Sequence, residues 1–286
     1  MDAVKPPFPY YGGKQMLAER IISLLPPHEA YVEPYAGSLS ILMAKPRVKL
    51  ETVNDIDGSL MNFWRMMRER TDELEAYCGL TPHARAEHEA AMTAMTEPDD
   101  DPLERARQTW VLLTQARSGK QGKTGWRYFS NPRGTTYSMP KYLEAYVARF
   151  GPAVARLHGV SLECRPALDV IANYGQHSAA LLYVDPPYVL STRKGVGYRH
   201  EMTDDDHREL AAVLRDCKAT VVLSGYASPL YDLDLYPDWH RTELAAGTGN
   251  GGEWRDRTEV LWSNVPLAAQ SAFDFDALCE HRQEVA

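Results

Sequence analysis

The chain has 286 residues, a formal charge of −8 and 44% hydrophobic residues, enough to bury a full core in one large domain or in one domain carrying a smaller insertion. No apolar run approaches the roughly 20 residues that span a bilayer, and the opening MDAVKPPFPYYGGK has no apolar stretch of the kind found in secretory leaders. Cys78, Cys164, Cys217 and Cys279 are scattered and the nine histidines show no metal-ligand spacing, so a cytoplasmic, metal-free protein with reduced thiols is expected.

The spacing of Leu17, Ile21, Ile22 and Leu25 predicts a helix over 14–25, stopped by Pro26-Pro27. Residues 30–33 read as a short strand entering a Pro-Gly turn, and 38–44 as a helix. Thr52-Val53 suggests a second strand ending at Asn54-Asp55, followed by helical patterns over 59–77 and 83–95. An acidic loop at 97–101 precedes a helix over 103–116. Residues 117–140, rich in Gly, Ser, Asn and aromatics, read as a loop or β-hairpin. A helix near 141–157 follows, and then α/β alternation resumes: strand 181–184, helix 204–216, strand 220–224 and a late strand at 260–263. Residues 273–286 read as a partly ordered tail. No internal repeat is present. The expected architecture is α/β, a doubly wound Rossmann-like sheet interrupted by a mostly helical insertion. The sheet domain is assigned to 1–60 and 151–286, and the inserted domain to 61–150.

Charge is unevenly spread. From Arg105 to Arg149 there are nine basic residues (Arg105, Arg107, Arg117, Lys120, Lys123, Arg127, Arg133, Lys141 and Arg149) against one acid, Glu144. A phosphate backbone responds to such a local field more than to the total charge, although a merely solvated basic face has the same signature.

The sharpest motif is Asp185-Pro186-Pro187-Tyr188, directly after the apolar run Leu181-Leu182-Tyr183-Val184. Chance puts this tetrapeptide in roughly one chain in a thousand of this length, and its place beyond a strand's carboxyl end is where open α/β sheets bind ligands. The residue types suit methylation of an exocyclic amine. Such a nitrogen, with its lone pair delocalised into a base, is a poor nucleophile. The Asp185 carboxylate and the Pro186 carbonyl can accept both of its N–H hydrogens and stabilise the positive charge that develops. The prolines make the turn rigid and remove two donors, and Tyr188 offers a flat face to a base drawn out of a duplex. A sulfonium methyl donor is already activated, so alignment suffices without a metal.

Two further segments point to a cofactor. Tyr31-Val32-Glu33-Pro34-Tyr35-Ala36-Gly37-Ser38 runs from a strand into a Gly-containing turn before a helix. About twenty residues on, Asp55 stands where an acid accepts from ribose hydroxyls. Pro9-Tyr10-Tyr11-Gly12-Gly13-Lys14 precedes the first helix but lacks the full phosphate-loop spacing. Gly247-Thr248-Gly249-Asn250-Gly251-Gly252 has no following helix with Lys-Ser/Thr and reads as a mobile loop near the active site.

Together these segments resemble the DNA adenine methyltransferases of the Dam type, including phage-encoded relatives. That family orders a Gly-Gly-Lys motif, a Glu-Pro-Phe-x-Gly cofactor loop, a recognition insertion and Asp-Pro-Pro-Tyr. The resemblance spans nearly the whole chain, including Thr203-Asp204-Asp205-Asp206-His207 and the strand at 220–224. It implies N6-methylation of a flipped-out adenine in double-stranded DNA, with S-adenosylmethionine as cofactor. Asp185, Pro186, Pro187 and Tyr188 would be catalytic. Tyr10, Gly13, Lys14, Asp55 and Asp185 would contact the cofactor, with Glu33, Tyr35 and Gly37 near its methionine part and Asp169 at its adenine side. Leu39 stands where relatives often have a second glycine, Tyr35 replaces the commoner Phe, and Tyr10 a frequent Trp.

Given this resemblance, Arg117, Lys120, Lys123, Arg127 and Arg133 are the expected DNA contacts. Lys120 and Lys123, flanked by glycines, suit phosphates. Arg127, with Trp126 and Tyr128 limiting its rotamers, suits a base edge. N4-methylation of cytosine, methylation of adenine in RNA, and a nucleic-acid-binding relative without turnover remain alternatives on the residues alone.

Overall fold

Every residue of Leu181-Leu182-Tyr183-Val184 is apolar, which suits a strand covered on both faces. The computed structural model, which describes residues 3–117, 124–193, 197–250 and 253–267, puts this run at the centre of a sheet. In chain order the elements begin with α1 (Ala18–Leu24), β1 (Ala30–Glu33), α2 (Ser40–Ala44) and β2 (Leu50–Asn54). A helical segment follows: α3 (Gly58–Glu69), α4 (Thr71–Leu80), α5 (Arg85–Thr93), α6 (Pro102–Gln115), α7 (Met139–Val147) and α8 (Phe150–Leu157). The chain then forms β3 (Val160–Glu163), α9 (Ala167–Tyr174), β4 (Ala180–Val184), α10 (Asp204–Arg215), β5 (Thr220–Gly225), β6 (His240–Asn250) and β7 (Glu253–Ser263).

The strand order is β3-β2-β1-β4-β5-β7-β6. The first five strands are parallel, while β7 runs antiparallel to both β5 and β6. Strand order reverses between β1 and β4, and the carboxyl ends of these two strands frame the crevice in which such sheets bind ligands. Adjacent side chains on β4 enter opposite cores. Leu181 and Tyr183 join Tyr31, Val53, Val222 and Leu261 under α1, α2, α3 and α8. Leu182 and Val184 join Val32, Val221, Leu223 and Trp262 under α9 and α10. The sheet is therefore doubly wound.

The insertion is the crossover from β2 to β3. Its Phe63, Trp64, Trp110 and Phe150 belong to the same buried cluster as Tyr31 and Leu181, so its apolar faces complete the core on one side of the sheet. A buried ion cluster reinforces the joint. Glu51 on β2 accepts from Lys45 at 2.9 Å and from both Arg156 terminal nitrogens, at 2.6 and 2.8 Å.

Several boundaries differ from the sequence reading. The first helix begins at Ala18, because Lys14–Leu17 forms a turn closed by Leu17 N donating to Lys14 O at 2.9 Å. The helical pattern over 59–77 breaks at Arg70, whose φ of −134° and ψ of 49° lie outside the helical region. The 141–157 pattern likewise divides into α7 and α8. Only an isolated antiparallel bridge, Ala116 to Trp126, gives hairpin character to 117–140 among the described residues. Strands β3 and β6 were not expected: Val160-Ser161-Leu162-Glu163 is short and half polar, and β6 is a largely polar edge strand. Residues 247–250, read as a mobile loop, are the end of β6 paired to β7. The 273–286 tail lies outside the described residues. No described helix is long and apolar enough to cross a membrane.

Candidate active site

Asp185 follows β4, Glu33 ends β1 and Asp55 follows β2, so three neighbouring strands deliver an acid to one end of the sheet. There a cavity of about 310 Å³ opens. Its walls include Tyr10, Gly13, Lys14, Glu33, Tyr35, Gly37, Asp55, Asp185 and Pro187, so most of the catalytic and cofactor residues singled out from sequence converge on it. Pro186 and Tyr188 alternate away from it and are buried. Asp169 is not brought to the cavity. Its side chain is 55% exposed on α9, 3.8 Å from Arg165, and Pro166, Ala167 and Leu168 line this part of the wall.

The turn after β4 is held electrostatically. Lys14, 5% exposed, donates to both carboxylate oxygens of Asp185 at 2.7 Å and to Gly12 O at 2.8 Å. Burial depresses the Lys14 pKa, but Asp185 and Glu259 more than offset this, so the ammonium titrates above its ordinary range. Tyr188, read from sequence as a stacking face, is 5% exposed. Lys14 Nζ stands 4.8 Å from its ring centroid, Tyr226 packs edge-on at 4.7 Å, and its hydroxyl donates to Glu259.

The loop after β1 is shaped by close contacts. Gly37, at φ 48°, donates its N–H to Asp55 Oδ2 at 3.0 Å, and a Cβ there would lie 3.0 Å from the Tyr10 ring. Asp55 Oδ1 accepts from Asp57 N at 2.9 Å, so this acid braces the loop as well as lining the cavity. Burial lifts the Asp55 carboxyl pKa to about 6 against these hydrogen bonds. Glu33 Oε1 accepts from the Tyr31 hydroxyl at 2.9 Å and from Leu42 N at 2.7 Å, yet burial pushes its pKa to about 8. Asp57 also lines the cavity, and its Oδ2 is buried without a hydrogen-bond partner.

The stretch after Asp185–Tyr188 contributes side chains that the sequence did not flag. Arg193 pairs with Glu201, and Glu201 accepts from the N–H groups of Gly197 and Tyr198 at 2.7 and 2.9 Å. This brings Tyr198 over the cavity against Tyr11, ring centroids 5.2 Å apart. Gly12, at φ 76°, has the left-handed backbone that favours glycine, and a Cβ there would meet the Tyr198 hydroxyl at 2.1 Å unless that ring moved. Glu259 was also missed. Its one signal was an acid abutting the apolar run Val260-Leu261-Trp262.

On the insertion, Lys120 and Lys123 lie outside the described residues. Arg117 and Arg133 are exposed. Arg127 is half-buried, with its guanidinium 5.4 Å from the Phe129 ring and 5.5 Å from Tyr142. The expectation that Trp126 and Tyr128 hold Arg127 is corrected: in extended chain, alternate side chains point to opposite sides. Trp126 and Tyr128 instead stack on each other at 5.4 Å, and Arg85 of α5 lies 4.9 Å from the Trp126 ring. Other basic residues have internal partners: Arg107 binds Glu87 and Glu104, Arg149 binds Pro6 O, and Lys141 binds Glu144.

Among the described residues no group of three His, Cys, Asp or Glu is placed to hold a metal ion. Comparison with curated proteins returns no significant match. A family model, that of the D12 class N6 adenine-specific DNA methyltransferases, matches residues 10–243. This match runs from the loop carrying Lys14, through the insertion, to beyond Asp185–Tyr188, and so takes in both sides of the crevice. The chain therefore belongs to the D12 class of N6 adenine-specific DNA methyltransferases, enzymes that methylate adenine in DNA.

Proposed function

We propose that the cavity binds S-adenosylmethionine and that Asp185–Tyr188 receives an adenine extruded from double-stranded DNA. The observation that carries this reading is the convergence of Lys14, Glu33, Asp55 and Asp185 on one crevice at the switch point between β1 and β4. The donor set fits the cofactor. Asp55 and the unpartnered Asp57 Oδ2 are suited to accept from ribose hydroxyls, Tyr10 and Tyr35 supply aromatic wall, and Glu33 and Asp185 offer carboxyls toward the cationic methionine part. When bound, S-adenosylmethionine supplies a methyl already activated on a sulfonium.

The protein's own contribution is orientation and charge. Asp185 and the Pro186 carbonyl accept the two N–H groups of the amine, which directs its lone pair and stabilises the charge that develops as the methyl arrives. Burial raises the Asp185 pKa above its ordinary range, and Lys14, holding the carboxylate from one side, opposes that and favours the ionised form, while the remaining lone pairs stay available to the amine. As the acceptor of one of those N–H groups, Asp185 can also take the proton that the methylated nitrogen must lose. Asp185 lines a crevice at the end of the sheet, and an amine stacked inside a duplex must leave the helix to enter it, which supports base extrusion.

The insertion, taken as 61–150, is proposed to recognise the target, with Arg117, Arg127 and Arg133 toward DNA together with Lys120 and Lys123. Cys78, Cys164 and Cys217 are unpaired thiols, as suits the reducing cytoplasm.

Transfer of labelled methyl groups to duplex DNA tests the assignment. Asp185→Ala takes from the buried Lys14 ammonium its paired carboxylate and leaves it Glu259 at 3.8 Å, so it is expected to fold with reduced stability. At a temperature where it is folded, it should retain less than about a tenth of wild-type turnover. Turnover at or above that level would remove Asp185 from the mechanism. In calorimetric titration with S-adenosylhomocysteine, Lys14→Ala and Asp55→Ala should each bind more weakly. Unchanged affinity in both would put the cofactor elsewhere.

A further inference from the structure

Glu259 belongs to none of the motifs and does not line the cavity, yet it sits at the hub of the cluster behind it. The antiparallel pairing of β5 with β7 aligns Gly225 with Val260. Glu259 therefore falls just beyond the carboxyl end of β5, beside the turn that follows β4. The residue is 4% exposed. Its Oε1 accepts from Ser224 Oγ at 2.6 Å and from the Tyr188 hydroxyl, and Lys14 Nζ stands 3.8 Å away.

Lys14 in turn grips Asp185 through both carboxylate oxygens. One buried carboxylate thus touches the partners of both ends of the Asp185–Tyr188 turn: the ammonium that orients Asp185 and the hydroxyl that fixes the Tyr188 ring. A buried carboxylate is retained at such a place only when donors surround it. Here the donors are the two hydroxyls and the neighbouring cation.

We infer that Glu259 is a positioning residue for methyl transfer, acting through the Tyr188 hydroxyl and Lys14 to hold the Asp185–Tyr188 turn in its productive geometry. It touches neither the base nor the cofactor. The inference rests on the proposed role of Asp185. Misplacing a reacting group by about 1 Å costs on the order of a hundredfold in rate, so loosening this anchor acts on kcat.

The test uses the full-length enzyme, with circular dichroism and thermal melting to establish folding. Glu259→Ala is expected to lower kcat at least about tenfold while KM for the cofactor and Kd for duplex DNA stay within about twofold. Glu259→Gln, which keeps an acceptor oxygen for both hydroxyls, should recover most of that loss. Tyr188→Phe cuts the same link from the other end, and the double variant should be no slower than the slower single one. A folded Glu259→Ala with wild-type kcat, or losses that multiply in the double variant, overturns the inference. Should Glu259→Ala not fold, Tyr188→Phe decides: a wild-type kcat there overturns it equally. Asp185→Ala, run in parallel, separates the two readings. If it is active, the reading of the site fails. If it is dead while Glu259→Ala and Tyr188→Phe are at wild-type rate, only the positioning role fails.

Discussion

Leu39 sits at φ 57° and ψ 31° with no exposed surface, the left-handed conformation that a glycine would adopt freely. Holding a leucine there costs about 1–2 kcal/mol, and fully burying its side chain returns about 1.5–3 kcal/mol. The loop after β1 therefore keeps its path without the second glycine common in relatives, because this position also faces the core. Glu33 shows the opposite balance, a polar group whose surroundings favour its neutral form. Its folded-state pKa of about 8 stands above the ordinary 4.5. The stability contributed by the neutral form is thus fully present below the ordinary value and lost as pH rises through the folded one. Between about pH 5 and about pH 9, wild type should lose stability relative to Glu33→Gln, by on the order of a few kcal/mol. Chemical denaturation across that range measures it, and parallel curves for the two proteins would contradict the raised pKa.

At the level of elements, the joint between sheet and insertion depends on charges held away from water. Glu51 on β2 bridges Lys45 and Arg156 in that cluster, and Lys45 Nζ also lies 4.4 Å from the Tyr31 ring centroid. Removing the acid leaves two buried cations without their partner. Glu51→Ala is expected to destabilise the protein by about 3–5 kcal/mol, with Glu51→Gln intermediate. A loss under about 1 kcal/mol would mean that water reaches the cluster and that the apolar contacts of α3 and α8 alone hold the joint. Sequence patterns revealed neither this pairing nor the helix break at Arg70. Hydrophobic period identifies which face is buried, but not where the chain must turn to close a bundle.

Across the whole molecule, the insertion presents two kinds of cation. Arg85 and Arg127 rest on aromatic rings, which limits their rotamers and suits reading of base edges. Arg117 and Arg133 stand exposed, which suits phosphate contacts in the proposed DNA interface. Alanine at Arg85 or Arg127 should cost about 1–3 kcal/mol on the cognate site and relax its sequence preference. Alanine at Arg117 or Arg133 should weaken binding to all duplexes and lower the salt slope by about one. Binding curves at several salt concentrations, on cognate and scrambled duplexes, measure both effects. Wild-type binding and methylation by all four variants would leave this face as merely solvated.

The strand before Asp185, the loop after β1 and the alternating α/β order were legible in the sequence, because each depends on neighbours within one turn or strand: an apolar run, a proline pair, a glycine before a helix. The family order of motifs supplied the reaction. What only the tertiary structure decided was pairing at a distance. Lys14 and Asp185 are 171 residues apart, and Tyr188 and Glu259 are 71 apart. Arg85 meets Trp126 from the far side of α6 in sequence. The edge strands β3 and β6 take their conformation from the sheet they join rather than from their own composition. A buried charge has no local signature of its partner. The parallel sheet brings the ends of its strands together only after the whole chain has folded, and these ion pairs form there.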